Sequence, residues 1–226
     1  MSLNIYRLIK NRQGEASVFS NLASLFNVLN RPDSAYIYYN MALHNYQKID
    51  NSLGEASVLS NLELMYSIQN KPDSALVYYK AALSNYCKIG YKQGEASTIG
   101  NMGLVFNDLG LPDSMHTYLK ALKIHREIKF PEGETSVLNI MGLVFHGLGE
   151  PDSARVYYKT ALCIFRKIGY RYGEAASLCN LGILYDKYYT NTDSALIYFK
   201  ESRKIFFEIN DPNYKNIEVL IEKIEN

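Results

Sequence analysis

The sequence is dominated by a segment of about 40 residues that occurs five times. A Gly-Glu pair recurs at Gly14, Gly54, Gly94, Gly133 and Gly173, so successive copies lie 40, 40, 39 and 40 residues apart. Self-similarity at a fixed period of this kind is typical of solenoids, in which each unit buries its apolar face only against its neighbours. The pattern therefore predicts a binding surface built on stacked elements rather than a catalytic pocket.

Composition narrows the class of protein further. The chain has 226 residues, of which 47% are apolar, enough for a packed core. Its 24 basic and 23 acidic residues leave a net charge of +1, which argues against a nucleic-acid footprint or a membrane-binding patch, since both need clustered Lys and Arg. No apolar run approaches the ~18 residues of a membrane span.

The three cysteines have no spacing that indicates a disulfide framework or a zinc site. Cys87, Cys163 and Cys179 each lie in a helical pattern where a small apolar residue would also serve. We predict buried structural thiols. Unpaired thiols favour reducing surroundings and hence a cytoplasmic location.

Each unit is predicted to contain two helices. The first extends from about Glu55 to Gln69 in the second copy, with apolar residues at helical spacing. It ends at residues that tolerate a left-handed backbone, which are Asn30, Asn70, Gly110 and Gly149. A proline suited to the first helical position follows two residues later, at Pro32, Pro72, Pro112 and Pro151. The Asp after each proline complements the helix dipole, so Pro-Asp-Ser marks a helix start rather than a modification or catalytic site.

The second helix of each unit carries an Ala and Tyr stripe, as at Ala75, Tyr79, Ala82 and Tyr86. Alternating small and large residues let two helices approach closely while a ring fills the adjoining space. A stripe of rings can also bind nucleobases or sugars. The spacing favours core packing.

These units predict a single solenoid over residues 1–226. Its repeats are 14–53, 54–93, 94–132, 133–172 and 173–212, with a partial helix at 3–12 and a C-terminal helix at 213–225. Tyr6 aligns with Tyr86, so the chain is expected to begin inside the second helix of a preceding unit, as an excised piece of a longer protein. The last helix serves either as an end cap or as a connector.

The order of large and small residues within the units resembles the tetratricopeptide repeat. Asn101-Met102-Gly103-Leu104-Val105-Phe106 and Asn180-Leu181-Gly182-Ile183-Leu184-Tyr185 carry the resemblance. The longer unit is similar to those of kinesin light chain, Pins-type adaptors, bacterial Rap-type regulators and signalling proteins of Bacteroidetes. The resemblance implies an all-α, right-handed superhelical solenoid of five helix-turn-helix repeats with partial flanking helices. Two departures stand out: Glu63 holds a position that is small elsewhere, and Met115 replaces the Ala of the partner helix.

The resemblance also implies that the first helices line a concave groove. The predicted peptide-binding residues are Asn21, Asn61, Asn101 and Asn180, together with Ser17, Ser20, Ser24, Asn27, Ser57, Ser60, Ser97, Asn107 and Asn139. An Asn amide both donates and accepts hydrogen bonds, so a row of Asn can pair with a peptide backbone of any sequence. The alternative is that each Asn braces the neighbouring repeat. Ile140 interrupts the row.

The predicted function is a non-enzymatic interaction module for a protein or peptide, in a regulatory or sensory part of a larger signalling protein. The groove set has almost no Lys or Arg before Lys187, which argues against recognition of a terminal carboxylate. The four His residues have no metal or triad spacing, and no Gly-rich phosphate loop occurs, so no cofactor or metal is expected. Self-assembly into dimers or end-to-end stacks is the alternative function. A third possible function is that of an enzyme, which would need clustered ionisable groups.

Overall fold

The structure, a computed structural model, describes residues 2–111 and 113–225, and their regular structure is α-helical. The helices in chain order are α1 (Ser2–Leu8), α2 (Arg12–Val28), α3 (Pro32–Lys48), α4 (Ser52–Ile68), α5 (Pro72–Lys88), α6 (Lys92–Asp108), α7 (Ser114–Glu127), α8 (Pro131–Gly147), α9 (Pro151–Ile168), α10 (Arg171–Tyr188), α11 (Thr192–Glu208) and α12 (Asn213–Glu225). The even-numbered helices α2 to α10 are the first helices of the five repeats. The odd-numbered helices α3 to α11 are the second helices. The predicted all-α class is confirmed.

The chain forms two compact units, one ending at Lys120 and the other beginning at Ala121, within α7. In the first, α2 packs on α3 and α4 on α5; in the second, α8 packs on α9 and α10 on α11. Among the described residues no helix is both long and apolar enough to cross a membrane.

The first helices begin earlier than predicted. Helix α4 begins at Ser52 rather than near Glu55, because the Asn51 side chain caps it and accepts a hydrogen bond from the Gly54 N–H at 2.8 Å. Asn11 caps α2 in the same way, with Gly14 as its donor. The recurring glycine therefore lies inside the first turn.

The turns between first and second helices follow the prediction. The residue that ends the turn has a positive φ at Asn30, Asn70, Gly110 and Gly149. Pro32, Pro72 and Pro151 are the first residues of α3, α5 and α9. The corresponding Pro112 lies outside the described residues.

The recurring glycine makes room for a ring of the preceding second helix. A Cβ added at Gly54 would lie 2.4 Å from the ring of Tyr46, and one at Gly173 would lie 2.5 Å from the ring of Phe165. The same niche pairs Gly14 with Tyr6, Gly94 with Tyr86 and Gly133 with His125. A side chain larger than hydrogen would force the ring aside, which is why this position is glycine in every repeat.

The glutamate after this glycine has its own partner in the preceding second helix. Glu174 accepts from Arg166 at 2.9 Å, and Glu134 accepts from Arg126 at 2.7 Å. The Gly-Glu pair thus joins two repeats through a ring contact and, in these two cases, an ion pair.

A second close contact lies within each repeat. Gly103, Gly142 and Gly182 of the first helices face the rings of Tyr118, Tyr158 and Phe199 of the second helices. All three rings are fully buried, so this contact forms the centre of each helix pair.

The third repeat is one residue short, and the structure places the gap before Ser114. Because Tyr118 faces Gly103 as Tyr158 faces Gly142, Ser114 takes the position of Ala154. The prediction that Met115 replaces that alanine is therefore wrong. Thr117 takes the place of a tyrosine that stacks on a ring of the first helix in other repeats, as Tyr157 does on Phe145 at 5.3 Å.

The prediction that the cysteines are buried is wrong for Cys87 and Cys163, which are both exposed. Each directly follows a buried core residue on its helix, so it points away from the core. Cys179 is half-buried, and burial raises the pKa of its thiol to about 11.

Candidate functional site

The predicted site residues all lie on first helices, and the surface that the first helices of each compact unit present is called here the first-helix face of that unit. Asn21 on α2 and Asn101 on α6 are exposed, whereas Asn61 on α4 and Asn180 on α10 are half-buried. Among the other predicted residues, Ser57, Ser97 and Asn107 are exposed, and Ser20, Asn27 and Asn139 are half-buried. The compact unit ending at Lys120 holds eleven of these residues; Asn139 and Asn180 lie in the other.

Several of the serines brace the fold. The Ser17 and Ser60 hydroxyls each lie 3.3 Å from the hydroxyl of the tyrosine that enters the adjoining glycine niche, Tyr46 and Tyr86 respectively. Ser24 pairs with Tyr39 of its own repeat at 3.2 Å. These contacts hold the rings of the second helices in place. The Ser57 hydroxyl donates to the backbone oxygen of its own helix at Leu53.

The asparagines differ from the serines because most of them are unpaired. Within the described part of the chain, the side chains of Asn21, Asn61 and Asn180 form no hydrogen bond. Asn139 accepts from the Ser177 hydroxyl at 3.4 Å. Free amides at equivalent positions of α2 and α4 can donate and accept hydrogen bonds from a ligand.

Asn101 lies beside the one acidic residue in the tight helix–helix contact. Glu63 replaces the glycine or alanine of the other repeats, and its side chain is buried, with an exposed fraction of only 4%. Its Oε2 atom has no hydrogen-bond partner. Burial raises the pKa of Glu63 to about 8, and the neighbouring Asn101 amide opposes this rise. A carboxyl group is therefore held mostly protonated at neutral pH under the first-helix face.

This face also has an apolar component that was not predicted from the sequence. Leu64, Leu104 and Leu143 are 53%, 39% and 52% exposed. Each lies three residues after the position of the recurring Asn, so the two side chains are neighbours on the helix surface. The recurrence of leucine outside the buried stripe was the signal available in the sequence.

A cavity of about 530 Å³ opens on the first-helix face between α8 and α10. The α8 side contributes Glu132, Ser136, Asn139, Ile140 and Leu143, and the opposite side contributes Phe165, Tyr170, Tyr172, Gly173 and Ala176. Of these residues only Asn139 was predicted as a binding residue. The volume of the cavity is in the range of small-ligand sites in proteins.

The histidines are dispersed. His125 is buried on Gly133, and burial lowers its pKa. His146 is half-buried against the ring of Tyr188, and its pKa is also lowered by burial. No group of three or more His, Cys, Asp or Glu side chains in the described residues is placed to hold a metal ion.

Stacked helix pairs that share a repeating ring-on-glycine contact define an α-solenoid. The chain belongs to the tetratricopeptide repeat family, whose sequence profile matches residues 14–88 and 133–206. No curated protein is similar enough in sequence to match.

Solved structures show the same fold. BtubC (BKLC) from P. vanneervenii is 20% identical over 92% of this chain and 88% of that chain, with a TM-score of 0.79. The apo form of RapI is 20% identical over 91% and 76%, with a TM-score of 0.77. A Rap protein complexed with Competence and Sporulation Factor is 16% identical over 94% and 65%, with a TM-score of 0.65. The family and the fold support a protein-interaction module.

Proposed function

We propose that this chain is a non-enzymatic module that binds an extended segment of a partner protein on its first-helix face. The observation that carries the proposal is the row of equivalent Asn21, Asn61 and Asn101 amides. Two of the three have no partner within the described residues, and those on α4 and α6 each have an exposed leucine three residues later.

The geometry suits a peptide backbone. Neighbouring packed helices lie about 8–10 Å apart, and an extended chain advances about 3.3 Å per residue. Successive Asn side chains would therefore meet roughly every third residue of the ligand. The exposed leucines would receive apolar side chains in between, so the backbone supplies affinity and the side chains supply selectivity.

Support for a bound factor comes from the comparisons. A structurally similar Rap protein was solved with Competence and Sporulation Factor, so this fold accommodates a bound factor there. By analogy, the chain would act as the regulatory or sensory part of a larger signalling protein. The near-zero net charge fits recognition by shape and hydrogen bonding better than recognition of nucleic acid.

The test is affinity capture from extract of the source cells with the triple variant Asn21→Ala, Asn61→Ala and Asn101→Ala. Captured proteins are quantified by mass spectrometry, and circular dichroism verifies folding. The matched control is His44→Ala, Lys80→Ala and Ser84→Ala, three exposed positions on second helices. The proposal expects a protein that the wild type and the control capture and that the folded triple variant loses. Equal capture by both variants would place the interface elsewhere.

Self-assembly is the second candidate function. Ile5, Leu8, Leu25 and Val28 on α1 and α2 are large apolar side chains that lie exposed, and such groups favour contact with another apolar surface. Light scattering over a wide range of concentrations tests this candidate. A mass that rises with concentration in the wild type, and stays monomeric in Leu8→Glu with Val28→Glu, would support it. A monomer throughout would eliminate it.

A further inference from the structure

We infer that the cavity between α8 and α10 receives a Lys or Arg side chain of a partner segment bound on the first-helix face of its own compact unit. This inference rests on the proposed function and names the side chain that the first-helix face selects. Three features of the cavity carry it: aromatic walls, a single carboxylate, and the absence of any basic side chain from its lining.

The aromatic walls come from both ends of the turn between α9 and α10. The rings of Phe165 and Tyr170 lie 5.5 Å apart, and those of Tyr170 and Tyr172 lie 6.4 Å apart. Tyr172 is also held edge-on to Phe206 at 5.6 Å. A cation over such rings is attracted by their negative faces, and Ile140 and Leu143 opposite can pack against the methylene stem of a long basic side chain.

The charges around the cavity favour a positive ligand group. Glu132 lies exposed at the lining and forms no ion pair within the described residues. The Arg171 side chain, close in sequence to both tyrosines, is paired with Glu174 and Glu208 at 2.6 and 2.7 Å. Its charge is therefore neutralised, while the carboxylate of Glu132 remains available. Ser136 and the Asn139 amide oxygen add acceptors for the hydrogens of an ammonium or guanidinium group.

The chain carries an internal comparison for this assignment. Residues 79 positions earlier repeat the cavity lining: Ser57, Asn61, Leu64, Tyr86 and Tyr91 stand where α8, α9 and α10 have Ser136, Ile140, Leu143, Phe165 and Tyr170. Leu53 stands in the place of Glu132, and Gln93 in the place of Tyr172. The acid and the third ring are thus particular to the α8–α10 cavity, which indicates that it has its own selectivity.

The test selects ligands from a phage-displayed library of random peptides on the wild-type chain. We expect a consensus with Lys or Arg at one position. Selection on Glu132→Gln should lose that preference while the rest of the consensus persists. The control Glu127→Gln, an exposed acid on α7 whose ion pair with Lys123 is also exposed, should keep it.

The selected peptide is then synthesised with the basic residue and with norleucine, and affinities are measured by fluorescence polarisation. We expect the norleucine peptide to bind the wild type roughly tenfold more weakly, a change of about 1.4 kcal/mol, and to bind Glu132→Gln and Tyr172→Leu with a smaller difference. A consensus without a basic residue, or a basic preference unchanged in Glu132→Gln, would overturn the inference while leaving peptide binding intact. No enrichment of any sequence would contradict both the inference and the proposed function.

Discussion

Glu63 is expected to make the stability of this protein fall as the pH rises through the neutral range. Its pKa is about 8 in the folded chain, against 4.5 for an ordinary glutamate, chiefly because burial disfavours the charged form. The unfolded chain loses this proton near pH 4.5, and the folded chain keeps it until about pH 8. The folded state therefore binds more protons between these values, and its free energy of unfolding decreases with rising pH.

The size of the effect follows from the shift. One pKa unit is worth about 1.4 kcal/mol, so the full shift corresponds to about 5 kcal/mol between pH 4.5 and 8. Between pH 6.5 and 8.5 the expected loss is about 2 kcal/mol, because the folded carboxyl itself ionises near pH 8. Tyr79 packs in the same contact, and its pKa is raised first by burial and then by the charge of Glu63.

The assay is urea unfolding of the wild type and of Glu63→Gln, a neutral side chain of the same shape, at pH 6.5, 7.5 and 8.5. The free energy of unfolding of the variant minus that of the wild type should increase by about 2 kcal/mol over this range. Taking the difference cancels the titration of all other groups. Glu150→Gln, at an exposed acid, serves as the control and should give a constant difference. A constant difference for Glu63→Gln would refute the reasoning, because it would mean that the buried carboxyl does not retain its proton on folding.

Three further predictions concern packing and protonation. Gly173→Ala should lower the free energy of unfolding by about 1–3 kcal/mol, because the added Cβ meets a ring. Gly147 has open space around it, so Gly147→Ala should raise the free energy of unfolding by up to about 1 kcal/mol in the same urea experiment. Thr117→Tyr should restore a ring stacked on Phe106 and raise the melting temperature, for a gain of about 0.5–1.5 kcal/mol; an unchanged or lower melting temperature would contradict the assigned register of α7. His125→Phe should reduce the loss of stability as the pH falls through 6.5, because burial lowers the pKa of this His and the unfolded chain takes up the proton first. The measurement is the urea midpoint at pH 7.5 and 5.5, and an equal shift in the wild type and the variant would contradict this prediction.

Backbone features with local causes could be predicted from the sequence. The left-handed Asn30 and Gly149 and the helix starts at Pro32 and Pro72 depend on the chemistry of single residues. The start of α4 could not be placed, because Gly-Glu was the visible repeat while the cap is the Asn three residues before the glycine. Only the packed structure shows that this glycine is needed to admit a ring.

The candidate site was less predictable because its parts come from different helices. The contact between Ser60 and Tyr86 joins α4 to α5 across 26 residues of sequence, so the sequence alone could not separate a bracing serine from one free to bind a ligand. The cavity requires Glu132 from α8 and Tyr172 from α10 on facing sides. Whether the asparagines bind a peptide backbone stays a prediction.

The ring-on-glycine contact has a consequence for how such a chain can diversify. Three different rings, those of Tyr46, His125 and Phe165, occupy the same niche and leave the seam between repeats intact. The residue directly before the glycine, Leu53 in one repeat and Glu132 in another, is exposed in both repeats. The residue at this position can therefore change without altering the ring that fills the niche. A duplicated repeat can thus change a side chain that it exposes beside the seam while its join to the neighbouring repeat stays the same.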